Sequence, residues 1–215
     1  MIMNPRRIDE CIESFERMPI ERAWLTGYSE RELVDVVAQM LEATPEFTHY
    51  IWASDDLVVN EEALAAVLAA LEDGHPVVTG YCNFDLTDDP RVGLSMSPLL
   101  TERPTLESYD FPTQQQIDEA PGDPVRTWFA GFVLTAMSRE MWLRYPFQLG
   151  PAGAQTDYSL CWRLQQDDVP IVAPKAARVL HVKDVWGVYP DADPRKRLLI
   201  GEIPAEVRYE IASHA

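Results

Sequence analysis

Residues 47–71 read FTHYIWASDDLVVNEEALAAVLAAL. The first seven, Phe47 to Ala53, are aromatic, apolar or β-branched in the manner of a strand that packs on a pleated, half-buried surface. That strand runs straight into Ser54, Asp55 and Asp56, so two carboxylates sit where it gives out. Asn60 is placed to cap a helix, Glu61 and Glu62 in its first turn suit the positive end of the helix dipole, and Gly74 closes it. Strand, acidic turn and helix follow one another without a break.

Upstream, residues 6–18 read as a helix, because Ile8, Ile12 and Phe15 recur at helical spacing and Pro19 stops it. Ala23, Trp24 and Leu25 make a short buried strand ending at Thr26 and Gly27. Ser29 caps a further helix with Glu32 completing a capping box, and Leu33, Val36, Val37, Met40 and Leu41 form its inward stripe. Downstream, residues 76–81 read as another strand. This alternation of helix and strand predicts an α/β fold: a mostly parallel, Rossmann-like central sheet flanked by helices.

Between residues 83 and 126 the pattern dissolves under six prolines, Pro90, Pro98, Pro104, Pro112, Pro121 and Pro124. Residues 92–96 are a candidate edge strand, and Tyr109 and Phe111 favour an excursion packed over the sheet. Residues 128–137 then give a strongly apolar strand signal interrupted by Gly131, followed by a short helix over 138–145. Thr156 is placed to cap a helix over 157–166 that buries Leu160, Cys161 and Leu164. Residues 169–172 and 177–182 read as two last strands, and a tail over 183–215 carries the basic cluster Arg195, Lys196 and Arg197. With no internal repeat and no dividing linker, one domain over 1–215 is expected.

Eighteen Lys and Arg against 35 Asp and Glu leave a net charge of -17 over 215 residues, which repels phosphate backbones and disfavours autonomous nucleic-acid binding. A start lacking a secretory signal, and the absence of any apolar run near the roughly 18 residues of a membrane span, predict a cytoplasmic protein without a membrane partner. Cys11, Cys82 and Cys161 lie far apart without CxxC spacing, so buried reduced thiols are expected rather than disulfides or a zinc cluster.

Open α/β sheets place ligands outside the carboxyl ends of their strands, which singles out Asp55 and Asp56. Their hard oxygens suit Mg²⁺ or Mn²⁺ bridging a diphosphate, and a solvated turn is the alternative. Asp157, in the first turn of its helix, is either a carboxylate held ionised as a general base or an ordinary dipole partner. His181, ending the strand ARVLHV, is either a metal ligand or a structural histidine. Asp167, Asp168, Asp191 and Asp193 read as solvated turn acids. Trp128 and Trp186 offer stacking faces for a sugar or base, with core packing favoured for Trp128.

Placed in order, these pieces resemble the GT-A type of nucleotide-sugar-dependent glycosyltransferase, in particular its broad family 2 group. YIWASDDLVVNEEALAAVLAAL looks like that family's strand, acidic motif and following helix. WFAGFVLTAMSREMW looks like its acceptor-side segment. TDYSLCWRLQQDDVPIVAPKAARVLHV is similar to a third block, in which an acid opens a helix and a histidine follows the next strands. The resemblance implies an inverting transferase that moves a sugar from a nucleotide-sugar donor to a hydroxyl acceptor, on a protein, a glycan or a hydroxylated nucleobase of the kind phage-type members decorate. It implies that Asp55 and Asp56, with His181, hold Mn²⁺ or Mg²⁺ on the donor diphosphate. Asp157 falls at the general base. Ser54, Trp128 and Gly131 fall in the matched segments as substrate-binding candidates, and Trp186, beyond them, joins the set as a stacking face.

The chain departs from the family pattern at four places. Ala53 stands where DxD spacing would put an acid, only Met1 to Met3 precede Asn4 and Pro5 where a first strand is usual, Thr26 to Ser29 replace an acidic turn, and Gln155 and Thr156 replace the acid before the base. A reduced donor pocket is therefore expected. It is compatible with an unusual donor, with a wall borrowed from another subunit of an oligomer, or with a non-catalytic module that binds a partner or a nucleotide-sugar. A phosphoryl- or nucleotidyl-transferring enzyme is a third reading and predicts a cation facing phosphates, with Lys175, Arg178 and Lys183 as the nearby choices.

Overall fold

The computed structural model describes residues 2–3, 9–25, 30–54, 56–82, 112–148, 156–184 and 197–200. Its centre is a five-stranded sheet of β3 (His49–Trp52), β7 (Thr135–Ser138), β5 (Val77–Val78), β8 (Ile171–Ala173) and β6 (Val125–Thr127), hydrogen-bonded in that order. A two-stranded parallel ladder joins β1 (Ile2–Met3) to β2 (Trp24–Leu25). A third, antiparallel sheet joins β4 (Leu57–Val58), β9 (Leu180–Asp184) and β10 (Arg197–Ile200), with β9 in the middle.

The α/β layering holds, but the central sheet is not mostly parallel. Only β5 and β8 pair in parallel, while β3 with β7, β7 with β5 and β6 with β8 are antiparallel. Because β3 and β5 are both antiparallel to β7, they run the same way as each other and as β8. The helix between β3 and β5 does return the chain in the same direction, as alternation requires. β7 then inserts between them, and that pairing reverses the sense of both contacts.

The sheet separates two cores, because alternate residues of each strand point to opposite faces. Tyr50, Trp52, Val77, Met137, Ile171 and Ala173 join one cluster, and Ala53, Val78, Ala136 and Val172 join the other. On the first face lie α2 (Glu30–Ala43), α4 (Gln114–Glu119), α5 (Arg139–Arg144) and α6 (Thr156–Gln166), which contribute Leu33, Ile117, Trp142 and Leu160. On the second lie α1 (Asp9–Glu16) and α3 (Glu61–Glu72), which contribute Phe15, Leu64 and Val67.

Local signals behave as the sequence predicts at several ends. Asn60 Oδ1 accepts from Ala63 N at 2.7 Å at the start of α3, and Gly74, just beyond its end, takes φ +89°. Ser138 Oγ accepts from Met141 N at 3.2 Å and opens α5. α4 was not expected among the prolines, although Thr113 and Gln116 form a reciprocal capping box there. The apolar stretch 128–137 is a strand only from Thr135. Before it, Val133 N bonds back to Gly131 O at 2.7 Å and Leu134 takes φ 52°, so the chain turns instead of extending. The expected edge strand at 92–96, Tyr109, Phe111, Arg195 and Lys196 lie outside the described residues. No helix among the described residues is long and apolar enough to cross a membrane.

Candidate functional site

The three codirectional strands end at one edge of the sheet, and chain topology decides what collects there. β3 ends beside Ser54 and Asp56. β5 leads to Gly80, Tyr81 and Cys82. β8 leads through residues 174–179 to β9 and His181. α6 enters β8 through the turn at 167–170 and packs Leu160, Cys161 and Leu164 on the sheet, so it runs against β8 and its first turn, with Asp157, lies at this same edge. Ligands of open α/β sheets bind at such an edge.

Asp56 and His181 are brought into direct contact. Leu57 pairs with His181 in the ladder of β4 and β9, and Val182 N donates to Asp56 O at 2.7 Å. Across that ladder His181 Nε2 lies 2.8 Å from Asp56 Oδ2, and Ser54 Oγ donates to Asp56 Oδ1 at 2.8 Å. Both members of the pair are buried. Burial alone would pull His181 below its ordinary 6.5, but hydrogen bonds to Asp56 and Cys82 outweigh it and push the value up to about 10. The ring is therefore an imidazolium at neutral pH, and Asp56 supplies the countercharge a buried cation requires.

The loop 128–134 spans from this pair to α6. Ser54 N donates to Phe132 O at 2.7 Å, Thr135 Oγ1 donates to Gly131 O, and Ala130 N donates to Cys161 Sγ at 3.1 Å. Gly131 is thus placed between Ser54 and the helix carrying Asp157. Asp157 is half-buried, its Oδ1 accepts from Tyr158 N at 2.8 Å, and its charge, after burial, helps raise Tyr158. Trp128 is not in the core: it is half-buried, with the Arg126 guanidinium 4.7 Å over its ring and its carbonyl accepting from Gln165 Nε2 at 2.8 Å. Asp55 and Trp186 lie outside the described residues.

Cys82 is the member of this group that sequence reading passed over as a plain buried thiol. Its signal was position, directly after the strand that precedes it at the same edge. Cys11 and Cys161 are buried and reduced, as expected. Lys175 does not face this group: Nζ donates to Asp118 O at 3.0 Å and to Ala120 O at 2.7 Å, closing the end of α4. A cavity of about 380 Å³ lies elsewhere, lined by Phe15, Ile20, Met40, Phe47, Ile51 and Leu68 among others, and none of Ser54, Asp56, Cys82, Asp157 or His181 lines it.

Asp56 offers an oxygen donor and His181, once its ring gives up a proton, a nitrogen donor, kinds of ligand that Mn²⁺ accepts. Among the described residues no group of three His, Cys, Asp or Glu side chains is arranged to hold a metal ion.

No protein-family model matches the chain, and no curated protein matches it. Among solved structures it is similar to the crystal structure of A197 from STIV, at 17% identity over 95% of this chain and 94% of A197, with a TM-score of 0.58. At that identity the likeness shows a shared fold over nearly the whole length of both chains.

Proposed function

We propose that the chain is a metal-dependent glycosyltransferase that moves a sugar, with inversion, from a nucleotide-sugar donor to a hydroxyl acceptor. The observation that carries this reading is the hydrogen-bonded group of Ser54, Asp56 and His181 at the sheet edge toward which chain topology also directs the start of α6. Asp56 and His181, with Asp55 next in sequence, would hold Mn²⁺ or Mg²⁺. Such an ion supplies neutralisation of the leaving diphosphate. Asp157 takes the proton of the acceptor hydroxyl as its oxygen bonds to the anomeric carbon and the bond from that carbon to the phosphate oxygen breaks. Ser54 orients Asp56 through its hydrogen bond, and the loop through Gly131 lies on the acceptor side.

One observation favours a second reading, a non-catalytic module that binds a nucleotide-sugar or a partner. Asp56 and His181 already satisfy each other, and Ala53 leaves the motif one acid short. The separating experiment is a hydrolysis and binding screen against UDP-, GDP- and other nucleotide-sugars with Mn²⁺ or Mg²⁺, beside Asp55→Ala and Asp157→Ala. Metal-dependent release of one nucleotide, lost in Asp55→Ala, supports the transferase. Metal-dependent binding without release, equal in Asp157→Ala and the parent, supports the module. No binding of any donor removes both as autonomous activities.

A further inference from the structure

The cavity of about 380 Å³ is built at the edge of the central sheet and not over one of its faces. Tyr50 and Ile51 point to opposite faces of β3, which ends the five-stranded sheet, yet both line it. Three helix ends and the segment leading into β2 supply the rest of the wall: Phe15 from α1, Met40 from α2, Leu68 late in α3, and Ile20. Ala23 and Ala53 also line it and give it little side-chain volume. The polar atoms of the wall are turned on one another. Thr44 Oγ1 donates to Met40 O at 2.7 Å and lies 2.9 Å from Tyr50 Oη, which donates to Thr44 O. The interior offered to a ligand is therefore apolar. Native interiors hold few voids larger than a water molecule, and apolar walls around an empty space forgo their dispersion contacts. A mostly apolar pocket of this size is the form that small-molecule sites take. An apolar cavity of about 150 Å³ already admits benzene, so this one has room for a body of roughly ten carbon atoms.

The mouth of the cavity carries one fixed charge. Arg22 lines it and is exposed, and its Nη1 donates to Phe15 O at 2.7 Å and to Met18 O at 3.0 Å, carbonyls left over where α1 ends. These two bonds hold the guanidinium in place and leave its Nε and Nη2 donors for another acceptor. Among the described residues no carboxylate pairs with it, in a chain of 35 Asp and Glu against 18 Lys and Arg. Glu21 and His49 share the exposed rim, and among the described residues no hydrogen bond fixes Glu21, so the one oriented charge is positive. The planar fork of a guanidinium matches the two oxygens of a carboxylate. We propose that this cavity binds a small amphiphilic carboxylate, its aliphatic or aromatic body enclosed at the edge of β3 and its carboxylate on Arg22. None of Ser54, Asp56, Asp157 or His181 lines the cavity, so this site does not depend on the transferase reading.

The test titrates the full chain with decanoate and with 1-decanol, each kept below the concentration at which it self-associates, and follows the ¹³C-methyl resonances of Ile20, Met40, Ile51 and Leu68. Saturable shifts are expected at these methyls, with Ile117 and Leu160 of the first core unmoved. The Arg22 Nε–H resonance is expected to move with decanoate and to stay with 1-decanol. Arg22→Gln is expected to weaken decanoate about 10-fold and 1-decanol less than about 2-fold. Leu68→Trp, at a position 37% exposed, fills the cavity and is expected to abolish binding of both. No saturable shift with decanoate overturns the proposal. So do shifts that spread to Ile117 and Leu160, or that persist in folded Leu68→Trp. Binding of both probes with Arg22 Nε–H unmoved marks a pocket for neutral apolar molecules and overturns the assignment of a carboxylate. The methyl and Arg22 signals are read in the parent, so they decide the matter even where Arg22→Gln or Leu68→Trp fails to fold.

Discussion

Asp56 Oδ2 and His181 Nε2 lie 2.8 Å apart although the two residues are 125 positions apart in sequence, their side chains 11% and 8% exposed. Two carboxyl-end excursions meet in this contact: the turn after β3 and the strand reached after β8. The ladder between β4 and β9 sets the register, and a slip of one residue would turn His181 to the other face.

Removing one partner of this pair leaves a buried charge without its counterion. His181→Leu and Asp56→Leu are each expected to lower unfolding free energy by about 3 kcal/mol, whereas the double Leu variant recovers most of that loss. Urea denaturation of the four proteins completes the cycle. Single losses under about 1 kcal/mol would place the pair with exposed ion pairs and contradict its burial.

Stability should depend on pH through the same residue. Folding raises His181 from 6.5 to about 10, so the native state holds that proton more tightly than the unfolded chain. Its contribution is complete below pH 6.5 and is lost as pH rises toward 10, at about 1.4 kcal/mol per pH unit in between. Burial also raises Cys161 from 9.0 and Tyr81, Tyr145 and Tyr158 from 10.0, but those groups act in the same direction only above pH 9. Between pH 7 and 9 the parent should therefore lose stability relative to His181→Leu, and parallel curves for the two would refute the assignment.

What could be read from the chain was local. The Asn60 cap, the stop at Gly74, the inward stripes of α2 and α6 and the placing of Asp56 at a strand end each depend on neighbours within a few residues. Strand pairing does not. β7 joins β3 across more than 80 positions, and its apolar run gives no sign that Gly131 to Leu134 turn before the strand begins, so a parallel sheet was the natural but mistaken expectation. The capping box at Thr113 and Gln116 was legible and was masked by the surrounding prolines. Within the site, Asp56 and His181 were legible as separate candidates. Their contact depends on the pairing of β4 with β9, across a separation no local signal spans.

Gly80 has a steric reason to be glycine. A Cβ built there would meet Ala177 O at 2.8 Å and Val133 O at 2.9 Å, both backbone atoms that no side-chain rotation can move. Gly80→Ala is expected to cost about 1–3 kcal/mol, as overpacking does. The loss should show as a lower urea midpoint with an unchanged slope. A midpoint equal to the parent's would mean that the approach of these strands is looser than described.

Cys161 ties α6 to the loop in both directions, since its Sγ accepts from Ala130 N at 3.1 Å and donates to Ala130 O at 3.4 Å, with both residues fully buried. Cys161→Ala leaves two buried backbone groups unsatisfied and should cost about 2 kcal/mol, while Cys161→Ser keeps a donor and acceptor and should cost less. The same loop holds Ser54 N on Phe132 O at 2.7 Å. A loosened Ala130 should therefore be felt two residues on, as faster hydrogen exchange at the Ser54 amide in Cys161→Ala than in Cys161→Ser. Equal exchange at Ser54 in parent and Cys161→Ala, alongside a measured stability loss, would show that α6 and the Asp56 turn are held independently, and that the position of Asp157 relative to His181 does not depend on this clamp.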